Sequence, residues 1–302
     1  MTLEEIRAHF GRRLERAELE MWPFPHLYLT EVLPAEVYDA ALAGDPFTVD
    51  PGVSFGDPSW TSKLRFNAHY EHRYQHELNP ENRTWHEQPW AMIGDAFADP
   101  NWLGPVLRMR FPSFFDLRFG DIDAIESRGS DGGFWRSLHT RTFVQRHEPG
   151  YRLEAHTDIP SRIATCIFNF PPSTGFEDAG TTLLKPRDPR VRCWGNSHHN
   201  IGDFEVVNTV PYAPNTCLVF FKTRHSWHSV RPEAALVPGG RLGMQVQLYE
   251  PDEGALIDLS APDLVRNLQF VPEPPKSRLR VNARRVLRQV PVPRRIRPTL
   301  TR

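Results

Sequence analysis

The sequence predicts a mainly β fold, an antiparallel sandwich or jelly roll preceded by helices. Eight short β-like runs lie within about 115 residues from Leu138 onward, punctuated by Gly, Pro and Asp. No helical pattern alternates with them, which disfavours βαβ units. Helical spacing lies in the first half of the chain and again at 279–290, where a basic helix on contact with a partner is the expectation, and no internal repeat is visible.

In chain order, residues 3 to about 20 place apolar positions at helical spacing in a charged background, weakened in the middle by Gly11. His26 to Leu33 reads as a strand, and Pro34 to Leu42 as a helix led by its proline. Residues 46 to 80 are rich in Pro, Asp, Ser and aromatics without periodicity, the pattern of a long surface segment; His69, His72 and His76 have helical spacing there but no adjacent ligand pattern. Helices are expected at Pro89 to Phe97 and Gly104 to Phe119, before a glycine-rich break at 127 to 133. The strands then follow at Leu138 to His147, Arg152 to His156, Ile163 to Phe170, Thr181 to Lys185, Phe204 to Asn208, Thr216 to Phe221, Trp227 to Arg231 and Arg241 to Tyr249.

With 302 residues, 39% hydrophobic, eight Trp and 19 Phe, the chain has ample material for a core. Its charges are unevenly placed. From Val271 onward nine Arg and one Lys face the single acid Glu273, a balance of +9, whereas residues 1 to 270 hold 26 basic and 36 acidic side chains, a balance of −10. The organisation expected is one domain over 1–270, with its β core at about 138–251 and helical and loop support at 1–137, followed by a basic, proline-flanked tail at 271–302. An acidic body argues against a nucleic-acid-binding protein, although the tail suits an acidic protein or carrier as partner. Cys166, Cys193 and Cys217 show no paired spacing and read as reduced thiols. The first residues lack a secretory pattern and no 18 apolar residues run together, so the expectation is a cytoplasmic protein with no membrane span.

The chemistry is concentrated in RTFVQRHEPGYRLEAHTD at 141–158. On extended backbone, His156 and Asp158 point to the same side. An H-x-D alone arises readily by chance among 13 histidines. Here it ends a β-like run after a Pro-Gly turn, inside the β-rich half, and a second imidazole is available from His228 in FKTRHSWHSVRP. Two imidazoles and a carboxylate on one face of an octahedral iron(II) leave three positions open, enough for O2 and a bidentate cosubstrate. Thirteen residues after His228, Arg241 opens the run RLGMQVQLY, where its fixed fork suits the distal carboxylate of a dicarboxylate.

Through YRLEAHTD, EDAGTTLLKP at 177–186, NTCLVFFKTRHSWHSVRP at 215–232 and GGRLGMQVQLYEP at 239–251, the chain resembles the 2-oxoglutarate and iron(II)-dependent oxygenase superfamily, in its compact prolyl-hydroxylase-like branch. The resemblance covers about residues 138–251, with a weaker match at 26–42. It implies a double-stranded β-helix with the N-terminal helices packed outside, iron(II) held by His156, Asp158 and His228, and Arg241 on the C5 carboxylate of 2-oxoglutarate. It departs from the usual pattern in two places: Gly243 stands where many relatives have Ser or Thr, and Ala179-Gly180 where many have two glycines. The retained Asp158 argues for hydroxylation or another ordinary oxidation and against halogenation.

The implied activity is a dioxygenase that uses O2 and 2-oxoglutarate to oxidise an unactivated C–H bond of a small or medium-sized metabolite. A peptide, protein or carrier-tethered residue is the alternative substrate, and a non-oxidative, cupin-like metal-binding protein the alternative class. Arg162, four residues after Asp158, is a candidate grip for a substrate carboxylate. Arg141 and Gln145 share a strand face and are candidates to line the cavity; Thr165 and Asn169 follow by the same parity one strand later. His225 competes with His228 as distal ligand, and His198-His199 reads as a solvated polar loop.

Overall fold

The structure, a computed structural model, describes residues 1–44, 46, 73–78, 80, 89–128, 133–147, 151–193, 195, 197–231 and 237–250. The basic segment 271–302, and with it the domain boundary near 270, lies outside the described residues, as do His69 and His72.

Helix α1 (Leu3–Arg16) starts at Thr2, whose hydroxyl accepts from the Glu5 N–H while the Glu5 carboxylate accepts from the Thr2 N–H. This reciprocal cap satisfies two otherwise unpaired backbone donors. The buried stripe Ile6, Phe10 and Leu14 follows the predicted helical spacing. Short strand β1 (Leu19–Glu20), strand β2 (His26–Thr30) and α2 (Ala35–Ala43) come next. Within the segment expected to be irregular, β3 (Arg73–Glu77) forms an added edge strand paired antiparallel with the strand at 139–147, so His76 lies on a strand and not at helical spacing.

After α3 (Trp90–Phe97), the single helix expected at 104–119 is two: α4 (Pro100–Arg110) and α5 (Pro112–Phe119). The break has a local cause. Pro112 offers no N–H and disfavours helical geometry in the residue before it, and Phe111 adopts φ −123°, ψ 42°. The glycine-rich break is flanked by two short helices, α6 (Ile122–Arg128) and α7 (Gly133–Ser137).

All eight predicted strands form, each within two residues of its expected ends. They are β4 (His139–His147), β5 (Leu153–His156), β6 (Arg162–Asn169), β7 (Thr181–Pro186), then, after the two-residue strand β8 (His198–His199), β9 (Phe204–Val210), β10 (Thr216–Phe221), β11 (His228–Val230) and β12 (Arg241–Tyr249). They divide between two antiparallel sheets, ordered β1-β2-β10-β6-β12-β4-β3 and β8-β5-β11-β7-β9. Strands β4, β6, β10 and β12 thus enter one sheet and β5, β7, β9 and β11 the other, the connectivity of a double-stranded β-helix.

Side-chain alternation along the large sheet separates two interiors. Leu242, Met244, Val246 and Leu248 of β12, with Cys217, Val219 and Phe221 of β10, belong to the core shared with the N-terminal helices. The opposite face carries Leu218, Phe220 and Ile167, which pack on Leu183 and Val210 of the small sheet. The helices therefore lie outside, as predicted, and the space between the sheets is shared by this apolar cluster and a cavity lined largely by polar side chains. The Ala179-Gly180 turn before β7 requires glycine at its second position, since a Cβ there would sit 1.7 Å from the Val210 carbonyl oxygen.

Candidate metal centre and its cavity

Between the sheets lies a cavity of about 150 Å³. His156, at the end of β5, stands in register opposite His228, at the start of β11. Their rings are 4.2 Å apart at 53°. Asp158 follows two residues beyond the strand end, and ligand atoms of His156, Asp158 and His228 all lie within 4.8 Å of one another. Among the described residues no fourth His, Cys, Asp or Glu joins this group.

The imidazoles are oriented by the backbone. Nδ1 of His156 lies 3.0 Å from the Glu154 carbonyl oxygen, and Nδ1 of His228 lies 2.9 Å from that of Ser226. A carbonyl only accepts, so each Nδ1 carries the proton and each Nε2 presents its lone pair. Burial lowers both histidines below their ordinary value, reinforced for His156 by the neighbouring His228 and opposed for both by Asp158. Two neutral, pre-oriented Nε2 donors are the form a metal requires. His228 Nε2 stands 3.9 Å from Asp158 Oδ1.

Asp158 is buried, and burial alone would raise its pKa; Arg162, the two histidines and Thr165 outweigh that and hold it well below the carboxylate range. Arg162 Nη1 donates to Oδ1 at 2.5 Å and Thr165 Oγ1 to Oδ2 at 2.7 Å. Arg118, near the end of α5, braces the turn that carries both residues by donating to the carbonyls of Pro160 (2.7 Å) and Arg162 (2.9 Å). From the other side Gly195, at φ +131°, passes so close that a Cβ would sit 2.5 Å from the Asp158 carbonyl oxygen.

At the far end stands Arg241, 4% exposed. Its Nη2 donates to Thr181 Oγ1 and its Nη1 meets His147 Nδ1, both at 3.3 Å, while the guanidinium lies 5.2 Å from the centre of the Tyr212 ring. Nε has no partner, and no acidic side chain pairs with this cation among the described residues. Burial lowers its pKa, which Tyr212 and Tyr151 partly counter. A buried cation without an anion is costly, and a ligand carboxylate would relieve it.

The other predicted candidates are distributed unevenly. Arg162 lines the cavity, with its charge turned to Asp158. Gln145 is buried on the parity face of β4 predicted for it but is not part of the cavity wall, and Arg141, on the same face, is exposed and not part of it either. Phe143 and His147, which share that parity, line it instead. Asn169 turns to Thr216 Oγ1 at 3.0 Å. His225 is buried away from the trio, its pKa brought down to about 4 by burial and nearby arginines.

Two features escaped the sequence reading. His198 is not in a solvated loop: β8 pairs with β5, and its ring stacks on His156 at 5.1 Å and 7°. The row Gln245, Gln247 and Tyr249 lines or borders the cavity, a placement that the i, i+2 parity from Arg241 could have found.

No protein-family model matches the sequence, and no curated protein matches it. Among solved structures, a Pseudomonas putida prolyl-4-hydroxylase overlaps 82% of this chain and 99% of its own at 12% identity and a TM-score of 0.38. HygX from Streptomyces hygroscopicus, crystallised with nickel and 2-oxoglutarate, overlaps 76% of this chain and 83% of its own at 10% identity and a TM-score of 0.39. A Trichoplax adhaerens prolyl hydroxylase in complex with a hypoxia inducible factor peptide fragment overlaps 85% and 94% at 12% identity and a TM-score of 0.36. At these TM-scores the overlaps are loose, and the chemistry of the site is read from its own side chains.

Proposed function

We propose that this chain is an iron(II)- and 2-oxoglutarate-dependent dioxygenase that hydroxylates or otherwise oxidises an unactivated C–H bond of a small or medium-sized metabolite. One observation carries the reading: a buried guanidinium without an anionic partner shares a cavity with a His-Asp-His group of the facial type. The trio supplies two neutral nitrogens and one carboxylate, a set that suits iron(II) and leaves open positions, while Arg241 calls for a carboxylate at the opposite end. A closed four-ligand zinc site would need a fourth donor and gives Arg241 no task.

When bound, iron(II) and 2-oxoglutarate supply O2 activation coupled to oxidative decarboxylation, giving succinate, CO2 and an oxidised substrate. The protein's part is placement. His156 and His228 hold their Nε2 atoms toward one point through their backbone bonds, and Thr165 and Arg162 keep Asp158 ionised and fixed in rotation. Arg241 holds the cosubstrate's distal carboxylate in a wall that excludes water, where a charge-assisted bond is strongest. No helix among the described residues is long and apolar enough to cross a membrane. The +9 balance of residues 271–302 supports an acidic protein or carrier as docking partner, the alternative to a free metabolite.

The test is an anaerobic titration followed by turnover. The iron(II)-loaded protein is expected to bind 2-oxoglutarate at one equivalent, then to release succinate on admission of O2, faster with a true substrate from a panel of amino acids, peptides and lipophilic metabolites. A tightly held zinc with no 2-oxoglutarate binding would overturn the reading.

A further inference from the structure

A chain of hydrogen bonds runs along the cavity side of β12, and its direction is fixed at one end. The Arg162 guanidinium only donates, and its Nη2 lies 2.9 Å from Tyr249 Oη. Tyr249 must accept there, so its single proton goes to Gln247 Oε1 at 2.5 Å. Gln247 is then held with its amide nitrogen outward, and this donates to Gln245 Oε1 at 2.6 Å. The amide orientation of Gln245, ordinarily ambiguous, is thereby set. Its oxygen is engaged, and its Nε2, with two N–H groups, forms no hydrogen bond within the described residues.

Register places that amide between the two ends of the site. On one face of β12 the order is Arg241, Gly243, Gln245, Gln247 and Tyr249. Arg241 pairs with His147 at one end, and Gln247 stands opposite Thr165, which holds Asp158 Oδ2, at the other. Gly243 contributes no side chain between them. A dicarboxylate stretched from Arg241 to the trio passes Gln245.

We infer that Gln245 is a cosubstrate-binding residue, donating from Nε2 to an oxygen of 2-oxoglutarate on the metal side of Arg241, and that Arg162, Tyr249 and Gln247 are positioning residues that fix this polarity. The assignment rests on the proposed 2-oxoglutarate reading. It gives the site a donor where Gly243 offers none, and it ties that donor to the arginine that also holds Asp158.

The experiment is calorimetric titration of 2-oxoglutarate into manganese(II)-substituted full-length protein without O2, for wild type, Gln245→Leu, Gln245→Glu, Tyr249→Phe and Arg241→Met, with the melting temperature of each. Gln245→Leu is expected to weaken binding about tenfold, the worth of one charge-assisted bond. Gln245→Glu should weaken it further by setting a carboxylate against the dianion. Tyr249→Phe should lose about threefold, because the Gln247 amide is released to flip. In turnover, the Gln245→Leu loss should fall on the 2-oxoglutarate KM and leave kcat near wild type, a split that general loosening does not produce. Wild-type affinity in folded Gln245→Leu and Gln245→Glu, alongside a large loss in Arg241→Met, overturns this inference alone. Absence of 2-oxoglutarate binding by the wild type overturns both it and the proposed function.

Discussion

The two ends of the cavity treat charge in opposite ways. At the His156–Asp158–His228 end the anion is compensated: Asp158 accepts from Arg162 and Thr165, and the imidazoles are neutral. At the Arg241 end a cation is buried against the Tyr212 ring, a threonine hydroxyl and a histidine, with no acid beside it among the described residues. The first end is near electrostatic balance without a ligand, and the second reaches balance only with one. Stability and function therefore lie on the same side at one end and on opposite sides at the other.

Paired substitutions break this contrast most directly. Asp158→Ala should abolish metal-dependent 2-oxoglutarate turnover and also lower the melting temperature of the metal-free protein, because it leaves Arg162 without its anion; breaking a buried pair costs on the order of 3–5 kcal/mol, here toward the lower end since the Arg162 side chain is 15% exposed. Arg241→Met should cut 2-oxoglutarate affinity about a hundredfold or more, yet leave the ligand-free melting temperature unchanged or raised, since an apolar side chain replaces an uncompensated charge. Calorimetry and thermal melts on both variants check this; a large destabilisation by Arg241→Met would mean that its charge is already compensated.

A smaller effect sharpens the balance at the His156–Asp158–His228 end. Lys222 is buried behind Asp158, donating to Thr157 Oγ1 at 3.0 Å and to the Thr223 carbonyl at 3.1 Å. Burial brings its pKa from 10.5 to about 7, with Asp158 opposing the shift. Between those values the unfolded chain binds the extra proton, so this group makes stability rise as pH climbs from about 7 to about 10.5, with its full penalty present below about 7. Lys222→Met should flatten that rise, read as the difference between wild-type and variant melting temperatures across the range. The smallest effect is expected for truncation after Pro272, which should leave melting temperature and 2-oxoglutarate decarboxylation nearly unchanged, with any loss confined to binding of an acidic partner. Unfolding on truncation would extend the catalytic domain to the end of the chain.

The eight core strands were legible because each is a short β-rich run bounded by turn residues, and the grouping of His156, Asp158 and His228 because two of the three sit two residues apart at a strand end. Pairing partners were not. Strand β3 and the pair His198–His199 have no apolar alternation, and they become strands only because a sheet edge is available to them. The α4–α5 break was missed although its signal, Pro112, is local: its effect on Phe111 needs no tertiary contact. Arg162 shows the limit most clearly: spacing put it near the cavity, but only the fold reveals that its charge is directed to Asp158 and Tyr249. Arg141 and Gln145 share the parity of Phe143 and His147 and still stand outside the wall, because parity selects a face and not which side chains on it reach the cavity.

Strand β12 serves two masters in strict alternation, its even-numbered apolar residues meeting the helices and its odd-numbered polar residues the cavity. For an evolving lineage this separates two kinds of change. Substitutions at odd positions can retune which molecules are accepted while the helix-facing core stays intact. A single inserted or deleted residue ahead of the strand would, by contrast, exchange the two faces, sending Arg241 toward Phe-lined packing and exposing Leu242 to the cavity. Diversification along this strand is therefore expected to proceed by replacement, and length variation to accumulate in the loops around it.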